Sequence, residues 1–155
     1  MDLDAALLRS FELATEARAN GDHPFSALLL VDGEVVATAL NRVRTDRDLT
    51  AHAETELVRL LEREGRLGLL ASGTVVASTE PCPMCVGAMF WAGARHVVFG
   101  LSAATLNEMT RAPGSPAHGF AITAGEIGAR ATPAMVVDGP HHEDRAAAPH
   151  TGFWV

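Results

Sequence analysis

The chain contains no lysine. Its 12 basic side chains are all arginines, set against 19 acids, and the formal net charge is −7 over 155 residues. That balance disfavours partners recognised mainly through phosphates, because duplex and tRNA binding depends on a basic surface. The arginines are scattered, and the one cluster, Arg42, Arg44 and Arg47, is diluted by Asp46 and Asp48 and reads as a solvated loop. No apolar stretch approaches the roughly 20 residues of a membrane span. The opening Met1-Asp2-Leu3-Asp4 has neither the basic segment nor the apolar stretch of an export signal. Cysteine is nearly absent as well. Cys82 and Cys85 are the only two, too few for a disulfide framework, and they fit a reducing, cytoplasmic setting in which thiolates stay available.

What is present is a globular composition, 48% apolar and 20% charged, in a length that suits one domain over residues 1–155. Residues 3–18 carry a helical apolar stripe (Leu3, Leu7, Leu8, Phe11, Ala14) with Asp2 or Asp4 to cap it and Gly21 beyond its end. Residues 25–31 and 34–40 read as strands around Asp32-Gly33, a favoured two-residue hairpin turn. Residues 41–49 are polar and read as a loop. Thr50 is the expected N-cap of a helix over 51–64 with Leu57, Leu60 and Leu61 facing inward. Strands are expected at 74–78, 96–100 and 134–137, helices at 83–92, 102–109 and 141–148, and a loop at 111–119. This order predicts an α/β fold, a three-layer α/β/α sandwich around a central mixed five-stranded sheet.

Two short motifs carry the chemistry: His52-Ala53-Glu54, and further along Pro81-Cys82-Pro83-Met84-Cys85. Alone, His-x-Glu is a chance pattern, and Cys-x-x-Cys could be a redox pair, half of a structural zinc knuckle or two buried thiols. Together they supply one imidazole and two thiolates, donors that suit Zn²⁺ and leave a tetrahedral metal one open position. An open position holds water, whose pKa zinc lowers towards neutrality. A closed structural site would need a fourth ligand, and no other cysteine exists. Glu54 stands two positions from His52, within reach of that water. The pair of motifs therefore predicts a hydrolytic site with one Zn²⁺ per chain, three protein ligands and a water. Both motifs fall at expected helix N-termini, where the dipole favours thiolates and other anions.

His-x-Glu followed by Pro-Cys-x-x-Cys resembles the signature of the cytidine deaminase-like superfamily of zinc deaminases. The resemblance runs from Gly21-Asp22-His23-Pro24-Phe25 to Gly152-Phe153-Trp154. Asn41 with Asp48-Leu49-Thr50-Ala51-His52-Ala53-Glu54 is similar to a block of guanine deaminases and tRNA adenosine deaminases. Ala88-Met89-Phe90-Trp91-Ala92 most resembles bacterial guanine deaminases. The resemblance implies that His52, Cys82 and Cys85 hold zinc and that Glu54 shuttles protons. It implies substrate roles for Asn41 and for backbone groups of Ala53 and Glu80. Asn41 also reads as a turn residue ending a strand.

Phe25 and Trp91 are candidates to stack on a flat heterocycle, with core positions as the alternative. Phe153 and Trp154 read either as a lid or as a contact with a second subunit. The activity so implied is hydrolytic deamination of a free nucleobase, guanine-type first and cytosine or an amino-triazine second. A nucleoside, or adenosine in tRNA, is the alternative, and a non-catalytic zinc module is a further one. The family resemblance also implies a homodimer, with the apolar helix face at 86–91 as its candidate surface. The loop that in guanine deaminases carries an acid has none here at 110–119. Glu108, Glu126 and Glu143 are the nearest substitutes. The remaining histidines, His150 among them, read as surface or core residues.

Overall fold

In the computed structural model, residues 1–154 are described. Helix α1 (Leu3–Ala19) precedes the hairpin β1 (Ser26–Val31) and β2 (Glu34–Leu40), then the single turn α2 (Val43–Asp46) and α3 (Ala53–Arg63). After a 3₁₀ turn at Leu67–Ala71 come β3 (Thr74–Thr79), α4 (Pro83–Ala92), β4 (His96–Leu101), α5 (Ala103–Thr110), α6 (Ala124–Arg130), β5 (Val136–Asp138) and α7 (Glu143–Ala147), with a last 3₁₀ turn at Ala148–His150. No helix among the described residues is long and apolar enough to cross a membrane.

The five strands form one mixed sheet in the order β2-β1-β3-β4-β5. β1 runs antiparallel to β2 and β3, while β3, β4 and β5 are mutually parallel. Alternation along the strands divides the core in two. Ala27, Leu29, Val75 and Val97 point to one face, where they meet Leu57 and Leu61 of α3, Val86 and Met89 of α4 and Ala124 of α6. Leu28, Val76 and Val98 point to the other, where they meet Leu7, Phe11 and Leu13 of α1 and Ala146 of α7. A sheet whose two faces are both apolar must be covered on both, and three layers follow.

Asp32 and Gly33 both have positive φ, 50° and 79°, as a type I′ hairpin turn requires. Gly100 on β4 is required by a close approach: a Cβ there would run into the Phe11 ring and lie 2.8 Å from the Ser78 carbonyl oxygen. Its absence lets α1 seat on the sheet.

Three elements depart from the sequence expectation. The loop at 41–49 contains α2, because two side chains satisfy its first N–H groups. Asn41 Oδ1 accepts from the Val43 N–H, and Asp22 Oδ1 accepts from Arg44 and Thr45. Helix α3 starts at Ala53, with His52 rather than Thr50 as N-cap. Thr50 is held outside the helix by its hydroxyl bond to Asp48, while its carbonyl accepts from His52 N–H and the Thr55 hydroxyl. Helix α6 lies outside the expected elements and starts at a reciprocal capping box of Thr123 and Glu126, the Ser/Thr-x-x-Glu start signal.

Candidate functional site

The parallel pair β3 and β4 sets the site. Chain leaving the C-terminal end of β3 passes through Glu80-Pro81 into α4, and α3 begins beside it. Each helix has a ligand-type residue as its N-cap in extended conformation, His52 (φ −73°, ψ 158°) for α3 and Cys82 (φ −69°, ψ 164°) for α4. Neither side chain makes the usual capping bond, so both are free to point at a common centre. Cys85 reaches the same centre from the first turn of α4, after Pro83, which suits an initial helical position because its missing N–H would have no partner there.

The three donor atoms stand at the spacing of a tetrahedral metal. His52 Nδ1 lies 3.6 Å from Cys82 Sγ and 3.5 Å from Cys85 Sγ, and the two sulfurs are 3.6 Å apart. With Zn–S near 2.3 Å and Zn–N near 2.0–2.1 Å, tetrahedral angles give about 3.8 Å between sulfurs and about 3.6 Å between nitrogen and sulfur. The agreement, together with the donor chemistry, makes this a zinc-type site with three protein ligands. His52, Cys82 and Cys85 are the one such cluster among the described residues. The electrostatics divide among the three donors. The Cys82 thiol is held down to about 4, first by a hydrogen bond from Cys85 and also by His52, while the same sulfur contact and burial push Cys85 up. The Cys82 contact in turn raises His52.

Glu54 is buried in the first turn of α3, 7% exposed. Burial, assisted by the Cys82 charge, pushes its carboxyl up to about 7. A carboxyl poised there exchanges a proton readily in either direction near neutral pH.

Beside the donor cluster lies a cavity of about 150 Å³ lined by Phe25, Asn41, His52, Glu54, Thr79, Glu80, Cys82 and Leu106. Asn41 is 2% exposed, and its Oδ1 is already engaged by Val43, which leaves the Nδ2 amide as a donor. Ala53 is fully buried at the first position of α3, where its N–H has no intrahelical partner. Each oxygen of the Glu80 carboxylate accepts one backbone N–H, Oε1 from Ala124 and Oε2 from Ala103, which ties the starts of α6 and α5 to the pocket wall.

Other expected residues fall elsewhere. Trp91 is 85% exposed on the outside of α4 and does not reach the pocket. Cys85 and Met89, one turn apart, set the inward face of that helix, and Trp91 points roughly opposite, at about 100° per residue. Glu108 is exposed on α5. Glu126 caps α6, and Glu143 accepts from Ser102 N–H and the Thr105 hydroxyl at the start of α5. None of the three lines the cavity. The carboxyl of Glu143 is lowered by its Ser102 bonds.

Phe153 and Trp154 dock on their own chain. Phe153 packs edge-on to His23 at 6.0 Å, with the Arg18 and Arg44 guanidinium groups over its ring at 5.6 and 5.1 Å. Trp154 lies 6.0 Å from Phe25 and 5.4 Å from His23. Phe153 is not among the cavity-lining residues, so the tail sits on the Phe25 side of the rim. Leu106 belongs to no motif, Thr79 heads the block that runs to Cys85 but carried no expected role, and His150 was expected only as a surface or core residue. The first two line the cavity, and His150 is buried against Phe25, 5.2 Å between rings.

Comparison with known proteins agrees with this geometry. Residues 2–101 match the model of the cytidine and deoxycytidylate deaminase zinc-binding region. A probable cytosine deaminase of Schizosaccharomyces pombe is 40% identical over 153 residues, 97% of this chain and 92% of that protein. The guanine deaminase of Bacillus subtilis is 36% identical over 100 residues, 64% of each chain. A structure of the B. subtilis guanine deaminase superposes with TM-score 0.64 at 34% identity, covering 70% of this chain and 69% of that one. The guanine deaminase of Nitrosomonas europaea shares the fold, with TM-score 0.78 at 24% identity over 96% of this chain and 82% of that one. With ligand spacing, sheet order and two-thirds of its length in agreement, the chain belongs to the cytidine and deoxycytidylate deaminase family of zinc-binding enzymes.

Proposed function

We propose that this chain, acting as a single cytoplasmic deaminase domain, removes ammonia from a free aminated base, with cytosine as the first choice of substrate class. The observation that carries this reading is the cavity itself. At about 150 Å³ it has the volume of roughly five waters, room for one small ring and little more. Its carboxylates are Glu54, beside the metal ligands, and Glu80, each of whose oxygens is anchored by a backbone N–H. Among the described residues no carboxylate but the anchored Glu80 and the proton-shuttling Glu54 lines the cavity, so none is free to turn to the amidine edge of guanine. The match to a probable cytosine deaminase over nearly the whole chain supports the same order. Guanine is the second reading, favoured by the B. subtilis relative and by the aromatic Phe25 wall.

His52, Cys82 and Cys85 would hold the zinc, which when bound supplies an activated water as nucleophile. The other steps belong to the protein. Glu54 accepts the proton lost from the nucleophile and delivers it to the ring nitrogen beside the amino-bearing carbon; it then takes the remaining proton of the added hydroxyl and passes it to the amine, which leaves as ammonia as the carbonyl forms. Burial suits it to this task, since a carboxyl raised to about 7 holds the proton between steps. Asn41 Nδ2 and the Ala53 N–H converge from the α3 side as donors for the ring carbonyl. Phe25 offers its face to the ring, and the Glu80 backbone lies at the amino edge. Phe153 and Trp154, docked on the rim, close that side against water.

Ammonia release from cytosine, guanine, an amino-triazine, their nucleosides, adenosine and a tRNA anticodon stem tests the reading. Turnover of cytosine without turnover of cytidine or RNA is expected. Turnover confined to the RNA stem would refute it. The chain is further read as a homodimer through α4, where Trp91 stands exposed beside an apolar groove of about 310 Å³ lined by Val86, Phe90 and Ile127.

A further inference from the structure

Thr79 ends β3, 4% exposed, and is a wall of the base cavity. Its hydroxyl has one partner among the described residues, His150 Nε2 at 3.5 Å. On its other side the His150 ring meets Trp154, whose Nε1 lies 3.2 Å from His150 Nδ1. These contacts fix a direction. An indole N–H can only donate, so His150 Nδ1 must be the acceptor. In a neutral imidazole the proton then sits on Nε2, which donates to Thr79 Oγ1. With its oxygen accepting from His150, the Thr79 hydroxyl is left with its proton for the cavity.

We propose that Thr79 is a specificity-determining donor of the base pocket, its hydroxyl proton turned towards the substrate by His150 and Trp154 as positioning residues. The group it favours is an acceptor on the ring, a carbonyl oxygen or an unprotonated ring nitrogen. This rests on the base-deaminase reading above.

Two further observations support the arrangement. His150 is 1% exposed, and burial, with Arg18 nearby, lowers its imidazole to about 4, which keeps it neutral at physiological pH. Its backbone is held on both sides, since Arg18 Nη1 donates to the carbonyls of Pro149 at 2.8 Å and Thr151 at 2.7 Å. The ring is thereby presented to Thr79 by a fixed turn, and the C-terminal aromatic tail sets its tautomer.

The test combines kinetics with ¹⁵N NMR of the histidine rings. Thr79→Val is expected to raise KM for the preferred base about tenfold while kcat stays within about twofold, the loss of one hydrogen bond. Thr79→Ser should restore KM. His150 should show the Nε2–H tautomer in the wild type and in Thr79→Val, and a tautomer mixture in Trp154→Phe, which keeps an aromatic ring and loses the donor. A wild-type His150 carrying its proton on Nδ1 overturns the proposal, and that reading needs no variant to fold. An active wild type with Thr79→Val unchanged in KM also overturns it and leaves the base-deaminase reading standing. A zinc-loaded wild type silent on every base removes the proposed function and the substrate role of Thr79 with it.

Discussion

Acidification is expected to destabilise this protein through His150 in a window set by one buried ring. The imidazole is lowered from 6.5 to about 4 by burial. Between those values the unfolded chain binds a proton that the folded chain refuses, so stability falls as pH falls. The full difference of about 2.5 units corresponds to about 3 kcal/mol, present above pH 6.5 and lost by about pH 4. At pH 5 about 2 kcal/mol of it is gone, which at a urea slope near 2 kcal/mol per M moves the unfolding midpoint by about 1 M. The assay is urea unfolding of the wild type and of His150→Gln at pH 7.5 and pH 5. Protonation of metal ligands and of carboxylates with lowered pKa, such as Asp22, is common to both chains and cancels in the difference. The wild type should lose about 1 M more in midpoint than the variant. Equal losses, or an NMR titration in which His150 protonates near pH 6, would refute the reasoning.

Glu54→Gln should retain zinc at one per chain by elemental analysis and lose about 10²–10⁴ in kcat, the usual contribution of a positioned acid–base group. Full activity in that variant would remove Glu54 from the chemistry. Cys82→Ser, or dialysis against a chelator, should abolish turnover together with bound metal, and added Zn²⁺ should rescue only the dialysed wild type. Gly128→Ala drives a Cβ into the Met135 backbone carbonyl oxygen, an atom that cannot rotate away. A cost of about 2 kcal/mol is expected, a fall in Tm of about 4–8 °C by calorimetry. Trp91→Glu touches no buried contact, so Tm should stay nearly constant while sedimentation shifts from dimer to monomer. A wild type that already sediments as a monomer would refute the α4 interface.

Much of the architecture was legible because each long element states its period locally. The apolar stripe of α1, the Asp32-Gly33 turn and the β-branched run of β3 can be read within a few residues of each position. Helix α2 could not be, since its N–H groups are satisfied partly by Asp22, a carboxylate from the far side of a strand pair. The start of α3 was misplaced for a related reason. Thr50 has cap chemistry, but its hydroxyl is bound to Asp48 and its carbonyl serves His52 and Thr55, so the helix begins two residues later than expected. The Thr123–Glu126 capping box was in the sequence all along.

The site divides in the same way. His52, Glu54, Cys82 and Cys85 were identifiable because metal chemistry demands particular atoms at short spacing, and short spacing survives in one dimension. So did the arginine-only positive charge and the acid-free segment at 110–119. Which residues line the cavity was decided by the folded chain alone. Trp91, two residues beyond Met89, was turned outward by the pitch of α4. Glu80, an attractive carboxylate beside the ligands, was anchored by two helix starts that come from distant parts of the chain. Thr79 is far in sequence from His150 and Trp154, and met them only when β3 and the C-terminal turn packed together. The sequence by itself determined the metal and the reaction, because these depend on the chemistry of a few neighbouring side chains. The tertiary structure decided the pocket, because selection of a substrate depends on which hydrogen-bonding groups the rest of the fold leaves unspent.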